Sequence, residues 1–326
     1  MLTYRATIHP RGATRSPWQA DTLFGHLCWL IRYEEGEQAL DDFLEPYRAG
    51  QPPLLFSDGF PGDYLPRPLL PRPFDDSAQQ PKQARVAAMR EAKQDKAIRW
   101  VSLDEFNALR LNPATKLEAR ESPVFQRTVL KNSINRLTGG TTPLDDNASG
   151  NLYGADELAF VAGEAPRREA LPVSIYVRAA DDGQAARAQY LLARLARSGY
   201  GARKSVGYGQ FDFGSADWQP FVGFDDVPEP NGFISLNNWV PAHDDPTDGY
   251  YATLVKYGKL GEEWANVANP FKFPLIMLAA GSSFRLNKPL KEWYGRLVTD
   301  IAPSVSKVVH YGYAFTVSAR LADDHQ

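Results

Sequence analysis

With 326 residues, 43% of them hydrophobic and 23% charged, the chain has the balance of a globular protein large enough for two domains. Its single cysteine, Cys28, excludes an internal disulfide and fits a reducing, cytoplasmic compartment. The longest apolar run, 273–280, is too short to cross a bilayer, and the polar, basic opening over 1–14 is not a secretory leader.

In chain order, alternation over 2–9 predicts a strand. Ser16-Pro17-Trp18-Gln19 fits a capping box with proline at the first helical position, opening a helix that runs to about Tyr33. The stretch 51–74 is dense in proline and predicts an irregular wall of extended chain and turns. A polar helix over 82–96 reads as an exposed insertion, followed by an extended 98–103 and a short helix over 103–111. Strands at 125–130 and 152–160, separated by the Gly/Thr/Asp/Asn-rich 138–151, predict a long β-hairpin. A strand over 171–178, a helix over 184–197 and a strand over 207–213 complete a β-α-β-β-α-β order with an extended middle. Beyond Trp218 six further strands are expected, at 232–240, 250–257, 273–278, 282–286, 296–298 and 308–319, with one weak helix at 261–267. Gly207-Tyr208-Gly209-Gln210-Phe211 is echoed by Gly312-Tyr313-Ala314-Phe315, as if both closed the same kind of unit. The fold class expected is α+β, with two ferredoxin-like domains over 1–217 and 218–326.

The net charge of −3 argues mildly against a nucleic-acid partner, but the charge is unevenly placed. Residues 82–136 hold twelve Lys/Arg against six Asp/Glu, a local +6, which leaves −9 on the rest. Residues 214–250 hold seven acids and no Lys or Arg. Such a split gives one region able to meet phosphates and another that repels them.

Three stretches carry candidate chemistry. In 198–209, Gly199, Gly201, Gly207 and Gly209 let backbone amides approach a ligand, Arg203 and Lys204 offer charge, Ser205 a hydroxyl, and Tyr200 and Tyr208 stacking faces. It is neither a P-loop nor a dinucleotide fingerprint, because Arg203 and Lys204 stand where glycines are required. A tight turn packing helix on sheet would use the same residues. On the hairpin, Lys131, Asn132, Ser133, Asn135, Arg136 and Thr138 suit sugar and phosphate contacts, or simply a polar stem. The opening loop places Arg15, Ser16, Trp18 and Asp21 around a helix start, where anions are favoured and Asp21 can partner the helix dipole. Catalytic constellations are thin. None of the five histidines has a metal-ligand partner at helical or hairpin spacing, so no metal and no cofactor is expected.

These residues resemble the RAMP superfamily of CRISPR proteins, and within it the fourth Csm subunit of type III-A effector complexes. The resemblance runs through Asp21-Thr22-Leu23-Phe24-Gly25-His26-Leu27-Cys28-Trp29, Phe56-Ser57-Asp58-Gly59-Phe60-Pro61, Tyr64-Leu65-Pro66-Arg67-Pro68-Leu69-Leu70-Pro71 and Asn132-Ser133-Ile134-Asn135-Arg136-Leu137-Thr138. The glycine-rich 198–209 and Val309-His310-Tyr311-Gly312-Tyr313-Ala314-Phe315 complete it, in family order from end to end. It implies a β-hairpin thumb on the first domain and a grip on the repeat-derived tag at the 5′ end of the guide RNA. It also implies docking to the large cyclase-nuclease subunit and to the backbone subunit of the third Csm type. By position, 132–138 would lie at the base of the thumb, while 16–21 and 198–209 would line the tag pocket. The implied role is non-catalytic. The alternative is a RAMP endoribonuclease that processes precursor guide RNA, with His26 as general base.

Overall fold

The computed structural model describes residues 1–71, 97–134, 139–141, 152–163 and 167–321, with five isolated positions between 83 and 95. The expected helix over 82–96 and the hairpin tip therefore lie largely outside the described residues. The first half runs β1 (Leu2–Pro10), α1 (Ala20–Glu35), α2 (Glu37–Arg48), β2 (Leu54–Pro61), β3 (Tyr64–Pro66), β4 (Trp100–Ser102), α3 (Leu103–Leu111), β5 (Val124–Asn132), β6 (Leu152–Ala162), β7 (Glu169–Ala170), β8 (Val173–Ala179), α4 (Asp182–Leu195), β9 (Phe211–Asp212) and β10 (Trp218–Pro220). The second half contributes β11 (Gly232–Ser235), β12 (Gly249–Tyr250), β13 (Thr253–Lys256), β14 (Leu275–Leu278), β15 (Ser283–Arg285), β16 (Tyr294–Val298), β17 (His310–Ala314) and β18 (Thr316–Ala319).

The first sheet is antiparallel in the order β10-β1-β8-β2, with β9 also on β1. Taking β1, β2, β8 and β9/β10 as its first to fourth strands gives 4-1-3-2, the ferredoxin-like arrangement. Its second strand is β2, inside the proline-dense wall that the sequence marks as irregular. Prolines are tolerated there because β2 is the sheet edge, with Pro52 and Pro53 just before it and Pro61 at its last position. All eight residues of β2 are buried, because the second half covers that edge: Asp58 N donates to Leu236 O at 2.8 Å and Phe56 N to the Tyr311 hydroxyl at 3.1 Å. The β5–β6 hairpin is an insertion and pairs with β7 rather than with this sheet.

Helix α1 begins at Ala20, three residues later than the capping box predicts. Trp18 is buried and stacks on Tyr200 with centroids 4.1 Å apart, which pins 14–19 in an irregular, non-helical path. The helix start is satisfied from elsewhere: Gln19 N donates to the Tyr200 hydroxyl and Ala20 N to Asp58 Oδ1, each at 2.8 Å. For α3 the cap comes from neighbours in the chain. Ser102 and Glu105 form a reciprocal capping box.

The second sheet has the order β12-β15-β11-β18, again antiparallel, and read from β18 it is also 4-1-3-2. Among the described residues this half contains no α-helix; the weak helical signal is a 3₁₀ turn over Glu262–Asn266. The glycine/tyrosine echo does not close this sheet, because Gly312 and Tyr313 lie in β17, which pairs with β16, while β18 takes the fourth place. Since β10 pairs with β1, the first sheet extends to Pro220, past the expected boundary at 217. One large core spans both halves and includes Leu27, Ile31, Val177, Ile234, Tyr311 and Phe315.

Candidate nucleic-acid interface

The glycine-rich stretch leaves the end of α4 and closes on itself, with Tyr200 N donating to Gly209 O at 2.8 Å. Gly209 has φ +63 and an added Cβ would stand 1.9 Å from Tyr200 O, so only glycine permits this closure. At the far end Lys204–Val206 make one 3₁₀ turn preceded by Arg203, a non-glycine residue at φ 63, ψ 28. That left-handed backbone costs a side-chain-bearing residue about 1–2 kcal/mol. Arg203 is exposed and its guanidinium makes no hydrogen bond or ion pair among the described residues, so the strain is not repaid by packing there.

Two anchors hold the loop from behind. Ala202 N donates to Ser16 Oγ at 3.0 Å, and Gly201 N to His26 Nε2 at 2.8 Å. Burial, reinforced by the nearby Lys204 charge, pushes the His26 imidazole down to about 4. His26 is therefore neutral near pH 7, with the lone pair a general base would use already accepting Gly201 N–H. It positions the loop.

The hairpin base meets the loop through Tyr208. Its hydroxyl donates to Glu157 Oε1 at 2.5 Å and bonds Lys131 Nζ, which also lies 4.4 Å from the Tyr208 ring centroid. Arg127 Nε donates to Glu157 Oε2 at 2.9 Å, and Tyr208 and Arg127 together hold that carboxyl below the usual range. Glu157 thus ties hairpin to loop. The sequence gives no sign of it, because its partners lie 30 and 51 positions away.

The expected site residues divide. Arg15, Ser16, Lys131, Arg203, Ser205, Gly207 and Tyr208 are partly or fully exposed, and so are Asn132 and Ser133 on the hairpin. Asn135, Arg136 and Thr138 lie outside the described residues. Trp18 and Tyr200 are core residues with 4% and 0% exposure, so neither ring is available to stack on a base; Tyr200 is instead a structural post whose hydroxyl also donates to Pro17 O. Gly199 and Gly209 are buried turn positions, and Gly201, half-buried, rests against Ser16. Asp21 is buried, with Lys256 Nζ 2.6 Å from its Oδ2. Lys204 is not free either: its Nζ is 2.6 Å from Glu262 Oε1. Part of the basic excess over 82–136 is also structural. Arg110 is 1% exposed and donates to Ser318 O and Asp225 O, which joins α3 to the second half.

No model of a known protein family matches the sequence, and no curated protein matches it. Solved structures do. A chain of the Csm1–Csm4 cassette crystallised with pppApA superposes with TM-score 0.61 at 19% identity, covering 98% of this chain and 99% of that one. The cassette with cA4 gives 0.57 at 20% identity, with the same coverage. A chain of the Csm3–Csm4 subcomplex of the type III-A CRISPR-Cas interference complex gives 0.57 at 13% identity, covering 97% and 99%. Csm4 is the component these assemblies share. Identities this low speak for the fold alone, and the fold matches that of those chains along almost the whole length.

Proposed function

We propose that the protein is a non-catalytic RNA-binding subunit of a type III CRISPR effector complex, which holds the 5′ repeat-derived tag of the guide RNA. In that role it docks the large cyclase-nuclease subunit and the backbone subunit of the third Csm type. The observation that carries the reading is Arg203, an exposed arginine kept in a left-handed conformation at the tip of a loop braced by Ser16, His26 and the hairpin base. A turn needed only for packing would relieve that strain with glycine. The end-to-end likeness in fold to chains of the Csm1–Csm4 and Csm3–Csm4 assemblies supports the same reading. Among the described residues no helix is long and apolar enough to cross a membrane.

The endoribonuclease alternative is disfavoured by His26, whose lone pair is committed and whose pKa is far below the operating range of a general base. The test is tag-RNA affinity across a salt series for Arg15→Ala, Arg203→Ala and the double variant. Each lost phosphate contact lowers the slope of log affinity against log salt by about 1. The melting temperature stays unchanged. Unaltered affinity in a well-folded double variant would show that the loop is only a turn.

A further inference from the structure

A cavity of about 260 Å³ lies between α1 and the second half. Its walls are apolar and largely aromatic, made by Phe24, Trp29, Leu260 and Trp264, with Trp29 and Trp264 edge to face at 4.9 Å. At its floor are two charged or polar side chains almost wholly removed from solvent, Asp21 at 3% and His310 at 5% exposure. Asp21 Oδ2 is taken by Lys256, but Asp21 Oδ1 is buried with no hydrogen-bond partner, and so is His310 Nε2, 3.5 Å from Oδ2. Buried polar atoms seldom stay unpaired, and two side by side on a cavity floor call for a ligand bearing matched hydrogen-bonding atoms.

Gly25 points the same way. It sits inside α1, where alanine would be more stable, and it lines the cavity with nothing within 4 Å of an added Cβ. The volume exceeds the roughly 30 Å³ share of a single water many times over and lies just under the roughly 300–1,000 Å³ of small-molecule sites. Asp21 is paired with Lys256, Lys272 lines the same floor, and burial keeps His310 neutral near pH 7. With Asp21 Oδ2 already taken, a neutral polar ring can meet Oδ1, and the surplus cations suit a phosphate carried on that ring. At the rim, exposed Lys259 can meet a phosphate carried on such a ring.

We propose that this cavity is a nucleobase site, in which an aromatic ring packs against Trp29 and Trp264 and an exocyclic amino group donates to Asp21 Oδ1. The base can come from a free nucleoside or from an RNA strand; only the second source rests on the RNA reading above. His26 links the two sites, since it lines the cavity while accepting Gly201 N–H from the glycine-rich loop.

The test is calorimetric titration of the purified full chain with adenosine, cytidine and uridine, and separately with oligo(A), oligo(C) and oligo(U) RNA. Adenosine or cytidine should bind, with uridine, which has no amino group, at least tenfold weaker. Asp21→Asn should abolish the discrimination. Because that variant can also disturb Lys256, Gly25→Leu serves as the second: it fills the cavity without touching a polar group, should eliminate nucleoside binding, and should leave the melting temperature equal or higher. If excess adenosine competes with oligo(A), the RNA supplies the base. If Gly25→Leu loses adenosine while RNA binding persists, the cavity serves a free nucleoside and the tag-binding reading stands. Nucleoside binding with no RNA binding would refute the tag-binding reading and leave this one intact. No nucleoside binding to the wild type, with RNA affinity indifferent to Gly25→Leu, would overturn the proposal and leave the cavity to water.

Discussion

The two halves order their principal strands alike, yet they cover them differently. The first sheet has its own helices, with Leu23, Leu27 and Ile31 of α1 and Ala188, Leu191 and Leu195 of α4 buried in the core. In the second, the crossover from β15 to β18 is a β16–β17 hairpin instead of a helix, and among the described residues no α-helix takes the place of the missing layer. It borrows cover from its neighbour. Tyr311 packs 4.9 Å from Phe24 of α1, its hydroxyl accepts Phe56 N–H from β2, and the Tyr313 hydroxyl donates to Tyr47 O of α2 at 2.6 Å. A repeated strand order therefore does not make two independent units. One half supplies the layer that the other lacks.

The sharpest way to break this reading is at Tyr311. Tyr311→Ala removes a ring that is 1% exposed and leaves Phe56 N–H without a partner. A loss of about 3–5 kcal/mol is expected from the cavity alone, and both halves should melt in one transition. Chemical denaturation followed by fluorescence and by circular dichroism checks this; two separated transitions would show that the halves stand alone. Tyr311→Phe keeps the ring and should cost about 1–3 kcal/mol through the orphaned amide.

A smaller effect comes from titratable groups buried where the halves meet. Burial holds His26 and His310 down to about 4, so both are neutral in the fold while the unfolded chain takes up their protons near 6.5. The stability they leave intact above pH 6.5 is lost as pH falls from about 6.5 towards 4. Asp58 has the opposite sign. Burial raises its carboxyl to about 8, so it stays protonated in the fold, and its contribution is lost as pH rises from about 4 towards 8. Between 4 and 6.5 two histidines outweigh one carboxyl; above 6.5 only Asp58 acts. Stability should peak near pH 6.5 and fall by about 2 kcal/mol by pH 8. Asp58→Asn should remove that decline and steepen the acid limb. Melting curves of the two proteins from pH 4 to 8 decide it, and profiles of the same shape would refute it.

Local signals were legible in the sequence wherever they are local in fact. The helix α3, the β5–β6 pairing and the helix α4 follow from neighbours in the chain, and the sequence marks all three. What it hides depends on distant partners. The prolines around β2 mask a strand whose burial comes from Leu236 and Tyr311, about 180 and 255 positions on. Ser16 looks like a helix cap but holds Ala202, 186 positions away, while Asp58 caps α1 instead. The same blindness affects the site. Tyr200 has the composition of a stacking residue and the address of a core residue, and Lys204 looks free until Glu262 arrives from the other half. Asp245 shows it in the acidic segment: it seems part of a surface patch, yet its Oδ2 accepts Ala242 N and Gly295 N at 2.8 and 2.7 Å inside the fold.

The Lys204–Glu262 pair offers the finest test, because it joins the halves at the edge of the proposed RNA surface. The two side chains are 27% and 28% exposed, so the bridge is a half-solvated ion pair worth no more than about 1 kcal/mol. Glu262→Gln should therefore leave the melting temperature almost unchanged. The backbone at Glu262 lies at φ 52, a strain that glutamine would share with glutamate, so the substitution isolates the charge. Its effect on RNA should be larger than its effect on folding. Freed from Glu262, Lys204 can turn to a phosphate, and a carboxylate that repels the strand disappears with the same change. Tag affinity at low salt should then rise, and the slope of log affinity against log salt should steepen by about 1 for the added contact. Lys204→Ala in the Glu262→Gln background should cancel the gain. If Glu262→Gln leaves both affinity and slope where they were, Lys204 does not reach the RNA and serves only to tie the second half to the glycine-rich loop.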